Sequence, residues 1–107
     1  MATARELREI AMSLEGTTSA PHFDRTAFKV ARIYATLAGD GLSANFRLTR
    51  EEQAVLIALR GDQFRALNGA WGKAGWVTAT LGDLDLARLT SILESAWKHA
   101  APKRRKR

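Results

Sequence analysis

The chain contains no cysteine. That excludes disulfides, thiol nucleophiles and thiolate metal sites, and it leads to the expectation of a reducing, cytoplasmic setting. No apolar run reaches the length of a membrane span. The first residues, MATARELREIAMSLEG, mix both charge signs as an amphipathic helix does, where a signal peptide would show a solid apolar block. Only two histidines are present, His22 and His99, too few for a metal site without a carboxylate cluster at ligand spacing. His22 and Asp24 share a loop, but no serine of the chain has an elbow or triad context beside them. GKAG at 72–75 is too short for a phosphate loop and no helix follows it. The residues therefore point away from an enzyme and imply no cofactor.

Acids are also missing from one end. Of the 17 lysines and arginines, Lys98, Lys103, Arg104, Arg105, Lys106 and Arg107 follow the last acid, Glu94. The 11 cations that remain meet 11 acids, so the body is neutral and the tail carries the whole +6 excess. Pro102 is placed to stop the last helix, which divides the chain into a domain over 1–101 and a mobile basic tail over 102–107. Such a tail attracts any polyanion with little sequence information. Within the body the charge is uneven. From Arg25 to Thr80 there are eight cations (Arg25, Lys29, Arg32, Arg47, Arg50, Arg60, Arg65 and Lys73) against four acids. That asymmetry suggests a basic face, although a solvated sheet face often carries such residues with no partner in view.

What is present suits one globular domain: 107 residues, 46% hydrophobic and 26% charged. Leu7, Ile10, Ala11 and Leu14 mark one face of a helix over about 4–15, with Thr3 and Glu6 at capping-box spacing and Gly16 as the stop. TTSAPHFD reads as turn-rich and irregular. TAFKVA, RIYATLA and LSANFRL alternate as three strands, the last two separated by the hairpin signal Gly39-Asp40-Gly41. Ile33, Ala35 and Leu37 oppose Tyr34 and Thr36 in that pattern. A second capping box, Thr49 with Glu52, opens a helix closed by Gly61. QFRAL and WVTATL follow as strands. A final helix, capped by Asp83 or Asp85, carries Leu86, Leu89, Leu93, Ala96, Trp97 and Ala100 on its apolar stripe. The order α-β-β-β-α-β-β-α predicts a single α+β domain with an antiparallel sheet and helices on one face.

Three stretches, PHFDRTAFKV, IYATL and WGKAGWVTATL…AWKHAAPKR, resemble the MmcQ/YjbR-like family of small bacterial proteins. The WG-x-x-GW stretch and the closing AW…APKR pattern are the most specific parts, and the resemblance extends over nearly the whole chain. It implies a DNA-binding protein whose β elements have been likened to a double wing. Many members carry glycine between the first two strands where this chain has Ala31 and Arg32. The strands should then meet at a tighter turn or run on as one bent strand.

The stretch AWGKAGWVTATL, residues 70–81, carries the sharpest candidate site. Alternation assigns Val77, Ala79 and Leu81 to the core and leaves Trp76 on the open face, with Trp71 at the base of the loop and Lys73 at its tip. The other reading, which the high average burial of tryptophan favours, makes both rings structural anchors that pin the loop to the sheet. On the first reading Arg25, Lys29, Arg32, Arg47 and Lys73 neutralise phosphates, Trp76 stacks on a base, and Lys103, Arg104 and Arg105 add non-specific affinity. The other function class is a protein-interaction or small-ligand module. The layout is similar to secretion-chaperone-like folds, in which an open sheet face serves a partner or a homodimer. No membrane association is expected on either reading.

Overall fold

The computed structural model describes residues 1–102. Helix α1 spans Ala4–Ser13 and strand β1 Thr18–His22. Strands β2, β3 and β4 follow at Arg25–Lys29, Ile33–Ala38 and Ser43–Arg47. Helix α2 spans Arg50–Arg60, β5 Phe64–Ala66, α3 Gly69–Lys73 and β6 Trp76–Thr80. A 3-10 turn at Leu81–Asp83 leads into α4, Leu86–Ala100. The six strands form one antiparallel sheet in the order β1-β2-β3-β4-β6-β5. The predicted α+β class holds, with two additions.

The first addition is β1, which occupies the stretch expected to be irregular. It lies at the sheet edge with four of its five residues exposed, so it carries no apolar alternation for the sequence to display. The second is α3, one helical turn in place of the expected loop tip. Both capping boxes form. In each, the threonine hydroxyl accepts from the glutamate N–H and the glutamate carboxylate accepts from the threonine N–H. Asp85 caps α4 by accepting from the Arg88 N–H at 2.7 Å.

Helices α1, α2 and α4 cover one face of the sheet. The core between them holds Leu7, Phe28, Leu37, Phe46, Val77 and Leu93 among its residues. Trp97 donates from Nε1 to the Glu15 carbonyl at 2.8 Å, tying α4 to the chain just beyond α1. Leu86, expected in the core, is instead half-exposed in the first turn of α4, and Ile92 is buried further along that helix.

β2 and β3 are two strands joined through Val30–Arg32, not one bent strand. A bulge takes up the missing glycine: Phe28 pairs with Ala35 but Lys29 pairs with Ile33, leaving Tyr34 as the extra residue. The bulge breaks the expected alternation. Tyr34 turns into the core beside Ala35, and Ile33 faces the opposite side of the sheet.

The buried Tyr34 hydroxyl lies 2.9 Å from the Thr17 hydroxyl and donates to the Ala11 carbonyl at 3.4 Å. Burial pushes its pKa above the ordinary 10.0, and the Thr17 hydrogen bond partly opposes that shift. A raised folded-state value favours the folded state only while the tyrosine keeps its proton. Its contribution is complete below about pH 10 and falls away as the pH climbs through the raised value. Tyr34→Phe is expected to cost about 1–2 kcal/mol at neutral pH, because Thr17 loses a buried partner. The gap between wild type and variant should narrow above pH 10 in urea melts. A constant gap would mean that the Tyr34 hydroxyl has the same pKa in the folded and the unfolded chain.

Candidate nucleic-acid interface

The face turned away from the helices is set by register. Ala27, Thr36, Asn45, Thr78 and Arg65 run across it as lateral neighbours, and Arg47 pairs with Trp76 beside them. The strands carry four cations, Arg25, Lys29, Arg47 and Arg65, and alternation puts all four on this face. Among the described residues no strand carries an acid. Among the described residues the one ion pair is Arg5–Glu9 on α1, so none of these four cations is neutralised by a paired carboxylate there.

A cavity of about 370 Å³ opens on this face. Its aromatic lining comes from Trp76, Trp71 and Phe23, and its polar lining includes Asn45, Thr36 and Arg25. Arg25 is held by the next strand: Nε donates to the Thr36 hydroxyl at 2.8 Å and Nη2 to the Thr36 carbonyl at 3.3 Å. His22 and Asp24 also line the cavity.

The two tryptophans exchange the roles expected of them. Trp76 does lie on the face opposite Val77 and Ala79, but it is buried, with 4% of its surface exposed. Trp71 is the open ring, 60% exposed, standing edge-on to Trp76 with centroids 5.7 Å apart. The short helix α3 causes the exchange, because it lifts Trp71 over the end of β6 and shields Trp76. The glycines between the rings serve backbone packing. A Cβ on Gly72 would stand 1.9 Å from the Leu67 carbonyl oxygen, and one on Gly75 1.9 Å from that of Leu48. Gln53, the one buried residue of α2, locks this stretch by donating from Nε2 to the carbonyls of Gly72 at 2.9 Å and Trp76 at 3.0 Å.

The remaining candidates divide. Lys29 is exposed at the far end of β2. Arg47 is half-buried, and its Nε has no hydrogen-bond partner among the described residues. Arg32 is drawn away from the face, since its Nη2 donates to the His99 carbonyl in the last turn of α4 at 3.3 Å. Lys73 is exposed at the end of α3, and its carbonyl accepts from Arg50. Lys103, Arg104 and Arg105 lie outside the described residues.

Phe23 is the residue that sequence reading passed over. It sits in the two-residue loop between His22 and Arg25 with φ of +59°, a left-handed conformation that costs a bulky residue about 1–3 kcal/mol, and 94% of its surface is exposed. This large apolar ring is held in strain and in water, with an edge contact to the neighbouring His22 ring at 4.9 Å between centroids. The available signal was a phenylalanine where such a loop favours Gly or Asn.

A second cavity of about 370 Å³ lies between α2 and α4, lined by Leu48, Val55, Leu56, Leu59 and Ile92 among others. Its charged groups are Glu51, Glu52 and Arg88, a balance that does not favour a polyanion.

The fold is similar to the crystal structure of a Deinococcus radiodurans protein with a DUF419 domain. The TM-score is 0.76 at 24% identity, over 91% of this chain and 77% of that one. It is also similar to a Pseudomonas syringae protein, with a TM-score of 0.67 at 14% identity over 90% of this chain and 97% of that one. These likenesses concern the fold. No curated protein matches the chain. The YjbR family model matches residues 12–99, from the end of α1 through the last turn of α4, and the chain therefore belongs to the YjbR family.

Proposed function

We propose that this protein is a non-enzymatic nucleic-acid-binding module, with DNA as its polyanion and the sheet face opposite α1, α2 and α4 as its contact surface. The carrying observation is that, among the described residues, every cation of the strands falls on that face and no strand carries an acid. Membership of the YjbR family supports a general nucleic-acid-binding role. Lys29 and Arg65 are the exposed pair and meet phosphates first, while Arg25 and Arg47 are held closer to the sheet. The basic residues 103–107 add affinity that does not depend on sequence.

Fluorescence anisotropy over a series of salt concentrations tests this. Lys29→Ala and Arg65→Ala should each weaken DNA binding uniformly across sequences and flatten the salt dependence by about one unit of slope. Both are exposed, so stability should stay within about 0.5 kcal/mol of wild type. Unchanged slopes in both variants would remove the sheet face from the reading.

A further inference from the structure

We propose that the sheet-face cavity receives a single unpaired nucleobase, so that the protein prefers single-stranded or looped nucleic acid to a continuous duplex. This rests on the nucleic-acid reading above and adds to it the kind of strand that is bound.

The first argument is shape. A cavity of about 370 Å³ is near the lower end of small-ligand sites, which suits one planar ring system and not a long chain. It is bounded by aromatic rings of unequal exposure. Trp76 is buried, Trp71 stands over it edge-on, and Phe23 projects into water at the rim. A base entering beside Trp71 and Phe23 would find ring faces that the fold has left uncovered. Stacking of this kind tolerates any base, because every base has a π-face.

The second argument is polarity. Asn45 sits centrally on the face and lines the cavity, and its side-chain amide makes no hydrogen bond among the described residues. An amide offers a donor and an acceptor together, the combination that reads the edge of a base. Arg25 brings a cation to the same cavity, already oriented by Thr36. Lys29 and Arg65 stand on the same face, where the phosphates of a strand entering the cavity would run.

The third argument is the duplex itself. Its bases are stacked and paired inside a rigid rod, so a concave cavity can reach a base only after it leaves the stack. The strained loop that holds Phe23 out of the fold has a use if that ring replaces a lost stacking neighbour.

The test compares a short mixed-sequence DNA strand with the blunt duplex of the same sequence, at one salt concentration. Wild type should bind the single strand about tenfold more tightly or better. Phe23→Gly relieves the left-handed backbone while deleting the ring. It is expected to raise the urea midpoint, to lower single-strand affinity about tenfold, and to leave duplex affinity unchanged. Trp71→Ala should likewise lower single-strand affinity about tenfold, and Trp71→Phe should restore most of it. Equal affinity for strand and duplex, or variants that bind the strand as wild type does, would overturn the proposal while leaving the cation-based reading in place. A free nucleoside monophosphate bound as tightly as the strand would overturn it too, in favour of a small-ligand site. Failure to bind either DNA at low salt would sink both readings.

Discussion

Gly75→Ala is expected to destabilise the protein by about 3 kcal/mol or more, a large share of the roughly 5–15 kcal/mol that holds a small domain folded. Two independent penalties coincide. Gly75 has φ of +105°, where an L side chain is strained whatever the space around it. Its Cβ would also meet the Leu48 carbonyl oxygen at 1.9 Å and the Leu48 carbonyl carbon at 2.9 Å. Neither atom can step aside cheaply. Leu48 is buried, and its N–H donates to the Gly75 carbonyl at 3.1 Å, so relief at one contact breaks another. Denaturant melts followed by far-UV circular dichroism would measure the loss. A shift below about 1 kcal/mol would mean that the β4–α2 junction is looser than the close approach requires.

Trp76→Ala should cost about 3–5 kcal/mol, the usual consequence of deleting a buried large aromatic. Its neighbours cannot close the space. Trp71 leans on it from outside, and the backbone around it is held by Gln53 on one side and by pairing with β4 and β5 on the other. Trp71→Ala should cost far less, about 1 kcal/mol, since an exposed ring loses little more than an edge-to-face contact. The order of the two losses is diagnostic. If Trp71→Ala proved the more damaging, the exposed and buried roles would be reversed from those described.

That pair shows how far the sequence could be read. Alternation along WVTATL correctly separates Val77 and Ala79 from Trp76, because a strand's period of two survives in any sheet. What alternation cannot carry is what covers the far face. Trp76 is buried by a residue five positions earlier, through a one-turn helix whose sequence, GAWGK, has no periodicity to detect. The three longer helices were legible because their signals are local: two capping boxes, an Asp cap and apolar stripes. Leu86 breaks from its stripe: it is half-exposed in the first turn of α4, while Leu89 and Leu93 further along the helix are buried. Tyr34 changed sides through a bulge, which depends on the pairing of β2 with β3 and leaves no mark in either strand alone. The cations of the mid-section were visible as an excess. Their separation, with Lys29 and Arg65 exposed on the face and Arg32 turned to α4, required the register and the side-chain hydrogen bonds.

The edge strand β1 has a consequence for behaviour at high concentration. A sheet with open ends can recruit further strands from other molecules, and that is a common start of aggregation. In the β1–β2 hairpin, His22 and Arg25 flank a two-residue loop and form the closing hydrogen-bonded pair. Counting back, Ala20 and Thr18 also bond inward to β2, while Pro21 and Ser19 turn their main-chain groups outward. Pro21 therefore removes an N–H from the row that an incoming strand would need, without weakening the hairpin. At the other edge β5 is only three residues long. Pro21→Val would restore that donor to an exposed strand, and light scattering on concentrated samples should then report growth that the native edge suppresses.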